Sequence, residues 1–124
     1  MKLYEKKLQN ALMLRVGGLA WARLWRVQVG VYRHLHSNEK VTVGMKGQSD
    51  LFGVMAPSGR LVCIEVKSPT GRVRKEQDAW LRMVNRFGGV GIVSQLPSDT
   101  TEENLKANIE EECQRVVALL EMRR

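Results

Sequence analysis

The sequence predicts an α/β domain, a mixed β-sheet flanked by helices. Three observations carry that prediction. Residues 51–55 and 61–67 are short apolar runs separated by Pro57-Ser58-Gly59, the pattern of two strands joined by a tight turn. The second run is apolar on both faces until Glu65 and Lys67, as a central strand is. A helical period over 74–86 and another apolar run at 90–94 then complete a strand–helix–strand unit. If its two strands are parallel, that unit crosses over right-handedly.

The other elements follow in order. Residues 3–16 predict an amphipathic helix, because Leu8, Ala11, Leu12 and Val16 recur at helical spacing and Gly17-Gly18 stops it. Residues 21–33 alternate, with Trp25, Val27, Val29 and Val31 on one side and Arg26, Gln28 and Gly30 on the other, which predicts one half-buried strand. Ser37-Asn38-Glu39-Lys40 reads as a turn and Val41-Thr42-Val43 as a returning strand, together a hairpin. Gly44 and Gly47 loosen the loop before Asp50. In the helix at 74–86, Trp80, Leu81, Val84 and Phe87 form the packed side, and Gln77, one turn earlier, belongs to it. A last helix over about 98–122, capped by Ser98 or Asp99, has the stripe Leu105, Ile109, Cys113, Val116, Val117 and Leu120. The expectation is one domain over 1–124, with a core over about 1–96.

Composition bounds the function. With 44% hydrophobic and 27% charged residues, the chain reads as soluble and globular. Arg15, Arg23 and Arg26 interrupt its most apolar region, and the N-terminus lacks a signal-peptide core, so the expected setting is the cytoplasm, or a host cell's cytoplasm for a viral protein. Cys63 and Cys113 read as two reduced, buried thiols. Residues 98–124 hold seven acids and four bases, leaving 16 of the 20 bases and 6 of the 13 acids in the preceding 97 residues, a surplus of +10. Such a surplus suits a polyanion, most simply nucleic acid, although a solvated basic surface has the same composition.

The candidate chemistry lies where these elements end. Asp50 opens one hairpin strand, and Glu65 and Lys67 share a face near the end of its neighbour. An ionised pair there is expensive unless something binds. Glu5 lies one turn before Leu8 on the apolar face of the first helix, where it can reach the same rim; an acid there also simply suits the helix dipole. Carboxylates about 4 Å apart repel by roughly 4 kcal/mol per pair at a near-surface dielectric, so the cluster calls for protons or a cation. Oxygen ligands without a nearby histidine favour Mg²⁺ or Mn²⁺. His34 and His36, on one face of the hairpin, have no third ligand close in sequence. Lys67 can neutralise charge on a phosphoryl group, and the Gln77 amide can orient a water or a lysine proton. Arg26, Lys46, Arg72, Arg74 and Lys75 are the candidate nucleic-acid contacts.

Gly44-Met45-Lys46-Gly47-Gln48-Ser49-Asp50-Leu51, Glu65-Val66-Lys67-Ser68-Pro69-Thr70-Gly71-Arg72 and Glu76-Gln77 together resemble the VRR-NUC domain, a nuclease branch of the PD-(D/E)xK superfamily. Arg26-Val27-Gln28-Val29-Gly30 resembles its first strand, and the likeness covers residues 5 to about 95. The resemblance implies a restriction-endonuclease-like core with an added C-terminal helix. It implies metal ligation by Asp50, Glu65 and the backbone carbonyl of Val66, with Lys67 as catalytic lysine, Gln77 as the motif glutamine and Glu5 as the first-helix acid. Ser49 departs from the superfamily's frequent proline, and Gln28 from the branch's frequent asparagine. The family further implies a stand-alone homodimer that resolves Holliday junctions in DNA repair. A flap cutter, a sequence-specific restriction-type enzyme and a catalytically idle DNA-binding module are the alternatives.

Overall fold

The computed structural model describes residues 2–28 and 30–124. In chain order its elements are α1 (Lys2–Gly17), β1 (Ala22–Arg26), β2 (Gly30–Arg33), β3 (Lys40–Val43), β4 (Leu51–Met55), β5 (Arg60–Lys67), α2 (Lys75–Arg86), β6 (Val90–Gln95) and α3 (Leu105–Arg123). The main sheet has the order β1-β4-β5-β6. Its first two pairings are antiparallel, and β5 runs parallel to β6. The sheet is therefore mixed, with β5 interior as its two-sided apolarity requires.

The alternation along β5 sorts the core. Val62, Ile64 and Val66 face α1 and α3, where they pack with Leu8, Leu12, Val16, Cys113, Val116 and Leu120. Cys63 faces the other way, onto Leu81 and Val84 of α2. Each of those fully buried aliphatic side chains contributes ~1.5–3 kcal/mol by leaving water. Two free, buried cysteines on separate elements match their expected character as small apolar groups. No described helix is long and apolar enough to cross a membrane.

Three boundaries differ from the sequence pattern. The single strand expected over 21–33 is two strands in two sheets, broken at Val27-Gln28; Val29, assigned to it by alternation, lies outside the described residues. The Val27 N–H donates to the Asp50 carbonyl at 2.9 Å as the last bond in the β1–β4 register, and beyond it the chain leaves the sheet. Trp25 and Val31, expected on the buried side, are both exposed. Phe87 is not on the packed side of α2; it is the C-cap, 80% exposed, because the helix ends at Arg86 and the residue no longer follows its face. The last helix is not capped by Ser98 or Asp99. The Thr100 hydroxyl and the Asn104 side-chain oxygen close turns over residues 97–104, and α3 starts only after Asn104.

Candidate active site

Strand register brings the two motif carboxylates together. Leu51 pairs with Ile64, so one step further puts Asp50 level with Glu65. Opposite residues of an antiparallel ladder share a face, where like charges oppose one another. Asp50 Oδ2 accepts the Val66 N–H at 3.2 Å, which fixes its carboxylate across the end of β5. That end is positioned in turn by the 44–49 loop. Gly47 has φ of +86°, and a Cβ there would stand 2.3 Å from the Glu76 carbonyl oxygen, so this position needs glycine.

Glu65 is almost completely buried, at 3% exposure. Its Oε2 accepts from Gln77 Nε2 at 3.1 Å and lies 3.5 Å from Lys67 Nζ. Its Oε1 is buried without a hydrogen-bond partner. Burial, reinforced by the Asp50 charge and opposed by Lys67, raises the Glu65 carboxyl to about 8. Gln77 is held at both ends, since its Oε1 also accepts the Arg74 N–H at 2.9 Å as the third residue of α2. Its amide therefore fixes the Glu65 rotamer from the first turn of the helix.

Glu5 comes to the same rim. Burial and then the Asp50 charge raise its carboxyl, while Lys67, Lys2 and a hydrogen bond with the Ser68 backbone lower it. A shallow cleft of about 320 Å³ lies here, lined by Lys2, Glu5, Lys6, Gln9, Arg26 and Asp50. Arg72 and Arg74 are exposed on the loop beyond β5, and Lys75 is exposed as the first residue of α2. Lys46 stands beside Arg74 in a second cleft, 3.5 Å from Glu76. Four elements thus converge: α1, the start of β4, the end of β5 and the first turn of α2.

Among the described residues no three His, Cys, Asp or Glu side chains form a ready-made metal cluster. What the rim offers is a carboxylate pair, Asp50 and Glu65, with one buried oxygen unpartnered. That donor set fits a hard cation which keeps several waters, as Mg²⁺ does, and does not suit zinc. His34 lies at the hairpin tip, where its Nδ1 accepts the Ser37 and His36 N–H groups.

Some participants were not singled out in the sequence. Gln95, level with Lys67 across the parallel ladder, donates to the Ser68 and Gly71 carbonyls at 2.8 and 2.7 Å and ties down the loop after β5. Glu112 is buried in α3, where it accepts from the Ser94 hydroxyl at 2.6 Å and from Arg115. Its spacing, seven after Leu105 and four before Val116, marks it as inward-facing, but it is the third member of an acidic run. Ser49 is fully buried and bonds the Leu51 carbonyl, so its polar group is satisfied where a proline would have had none.

A mixed sheet presenting an Asp, a Glu and a Lys at one rim, with a helix glutamine behind them, defines a nuclease of the PD-(D/E)xK type. The VRR-NUC domain model matches residues 6–95, and the chain belongs to that family. The match spans Asp50, Glu65, Lys67 and Gln77 and begins one residue after Glu5. Membership makes the chain a nuclease acting on DNA phosphodiester bonds, of a type that typically uses divalent metals. No curated protein matches the chain.

Proposed function

We propose that this protein is a metal-dependent, structure-selective DNA endonuclease of the junction-resolving kind, working as a homodimer in the cytoplasm of a cell or viral host. The observation that carries the metal-dependent part is the unpartnered Glu65 Oε1 beside Asp50. A buried carboxylate without a donor costs free energy that only a proton or a cation removes.

Asp50, Glu65 and the Val66 carbonyl would hold Mg²⁺ or Mn²⁺, with Glu5 as a further ligand from α1. The ion would supply charge stabilisation at the phosphoryl oxygens and an easily ionised water. Lys67, fixed against Glu65, offers a cation where negative charge grows as the phosphodiester opens. Gln77 keeps Glu65 in one orientation. Arg26, Lys46, Arg72, Arg74 and Lys75 flank the rim and suit the neighbouring backbone phosphates. Paired incisions across a branch need two such sites, hence two copies.

Labelled four-way junctions, flaps and linear duplex, incubated with Mg²⁺ or Mn²⁺ and with EDTA, test this. Cuts near the branch that vanish in EDTA are expected. Absence of metal-dependent cleavage on every substrate would refute the proposal.

A further inference from the structure

We infer that the β2–β3 hairpin is a DNA-binding arm, engaging duplex with one face and an unstacked base with the other, beyond the scissile phosphate. The inference rests on the nuclease reading above and extends it to a surface that the catalytic rim does not include. The strands pair only with each other as a separate two-stranded sheet. Of their eight residues all but Gly30 are exposed. An isolated hairpin with that much apolar exposure is a poor fold on its own. Val31, Tyr32, Val41 and Val43 are each at least 40% exposed in it.

Register sorts the arm into two unlike faces. Val31 opposes Thr42 and Arg33 opposes Lys40, giving a face with two adjacent cations. Among the described residues neither cation pairs with a carboxylate. Tyr32 opposes Val41 and Gly30 opposes Val43, giving an apolar face. A Cβ on Gly30 would lie 3.5 Å from the Tyr32 ring, so the tyrosine leans back over the glycine, and the residue stays 47% exposed. An aromatic ring beside two valines is a platform on which any base can stack.

The arm's root ties it to the rim. One stem leaves β1 at Val27, bonded to the Asp50 carbonyl, and the other returns through Lys46 to Asp50 itself. Four-residue strands carry the tip roughly 13 Å from that root, and a two-stranded ribbon fits the ~12 Å major groove. The arm over residues 30–43 holds Arg33 and Lys40 against Glu39, a charge of +1, and Lys46 at its root carries positive charge on towards the rim. Charge complementarity and this continuity favour DNA over a second copy of the chain as the occupant.

The test measures binding in EDTA, so that cleavage plays no part. Fluorescence anisotropy follows wild-type protein, Arg33→Ala/Lys40→Ala, Tyr32→Ala and Tyr32→Phe on a four-way junction and on linear duplex of equal base count, over a range of salt. Loss of two phosphate contacts should weaken both DNAs by roughly 60-fold at 0.1 M salt and flatten the log–log salt slope by about 1.8. Loss of the platform should weaken the junction by roughly 5- to 150-fold and spare linear duplex, with Tyr32→Phe restoring it. Unchanged affinity and slope in these variants would overturn the inference. So would a shift from dimer to monomer in sedimentation that accounts for all the lost binding, since the arm would then belong to a second copy. Wild-type binding that depends on the arm, without cleavage in metal, would leave the arm standing and refute the nuclease proposal alone.

Discussion

Replacing Glu65 by glutamine should stabilise the metal-free protein at alkaline pH. Glu65 is 3% exposed, and its carboxyl is raised from 4.5 to about 8, chiefly by burial and then by the Asp50 charge. The folded chain therefore holds a proton that the unfolded chain releases above pH 4.5. Stability from this group is fully present below about pH 4.5 and is lost as pH rises through 8. The shift spans three to four pH units, so the loss approaches ~4–5 kcal/mol as an upper bound. For a chain of this length that corresponds to a fall in Tm of roughly 15–20 °C. Thermal unfolding in EDTA from pH 5 to pH 9 reads it directly. Wild type should lose stability relative to Glu65→Gln across that window, and Mg²⁺ or Mn²⁺ at pH 8.5 should raise the Tm of wild type far more than that of the variant. Parallel pH curves, with equal responses to metal, would refute the claim that Glu65 is held as a destabilised carboxylate.

Other elements give equally direct expectations. Gly47→Ala places a Cβ against the Glu76 carbonyl at positive φ, so it should cost about 2–4 kcal/mol in denaturant unfolding; a change below ~0.5 kcal/mol would mean the loop does not pack there. Gln95→Ala removes two hydrogen bonds from the loop after β5 and should destabilise by ~1–3 kcal/mol, with faster amide exchange at Gly71, whose N–H bonds the Ser68 carbonyl at 3.0 Å. Unaltered exchange there would show that the loop is held by other means.

The site was legible because its residues break local rules. Glu65 and Lys67 end a strand that is otherwise apolar on both faces, and Gln77 interrupts an apolar helical face, so each stands out against its own pattern. The structure joins them at Glu65 Oε2, which accepts from Gln77 Nε2 at 3.1 Å and lies 3.5 Å from Lys67 Nζ. The break in the first strand was not legible, because the alternation of Trp25, Val27 and Val31 continues unchanged across it. The partner β4 begins only at Leu51, so the pairing of β1 runs out at Val27, and local periodicity carries no trace of a partner 23 positions later. The start of α3 was hidden for a different reason. Several polar residues between 98 and 104 suit an N-cap, and only the turn that Asn104 closes onto Thr101 decides among them. Gln95 looked like an ordinary polar strand end until the loop carbonyls it holds were in place.

In the proposed reaction one lysine, Lys67, acts on the phosphodiester beside a carboxylate pair. Single-turnover cleavage at saturating protein, with DNA affinity measured in parallel in EDTA, isolates that step for wild type and Lys67→Ala. The expected result is a rate lower by about 10²–10³ in the variant, since a transition-state charge partner is lost. Its DNA affinity should stay within roughly tenfold, because the other phosphate contacts remain. Cleavage by Lys67→Ala at the wild-type rate would contradict the central claim.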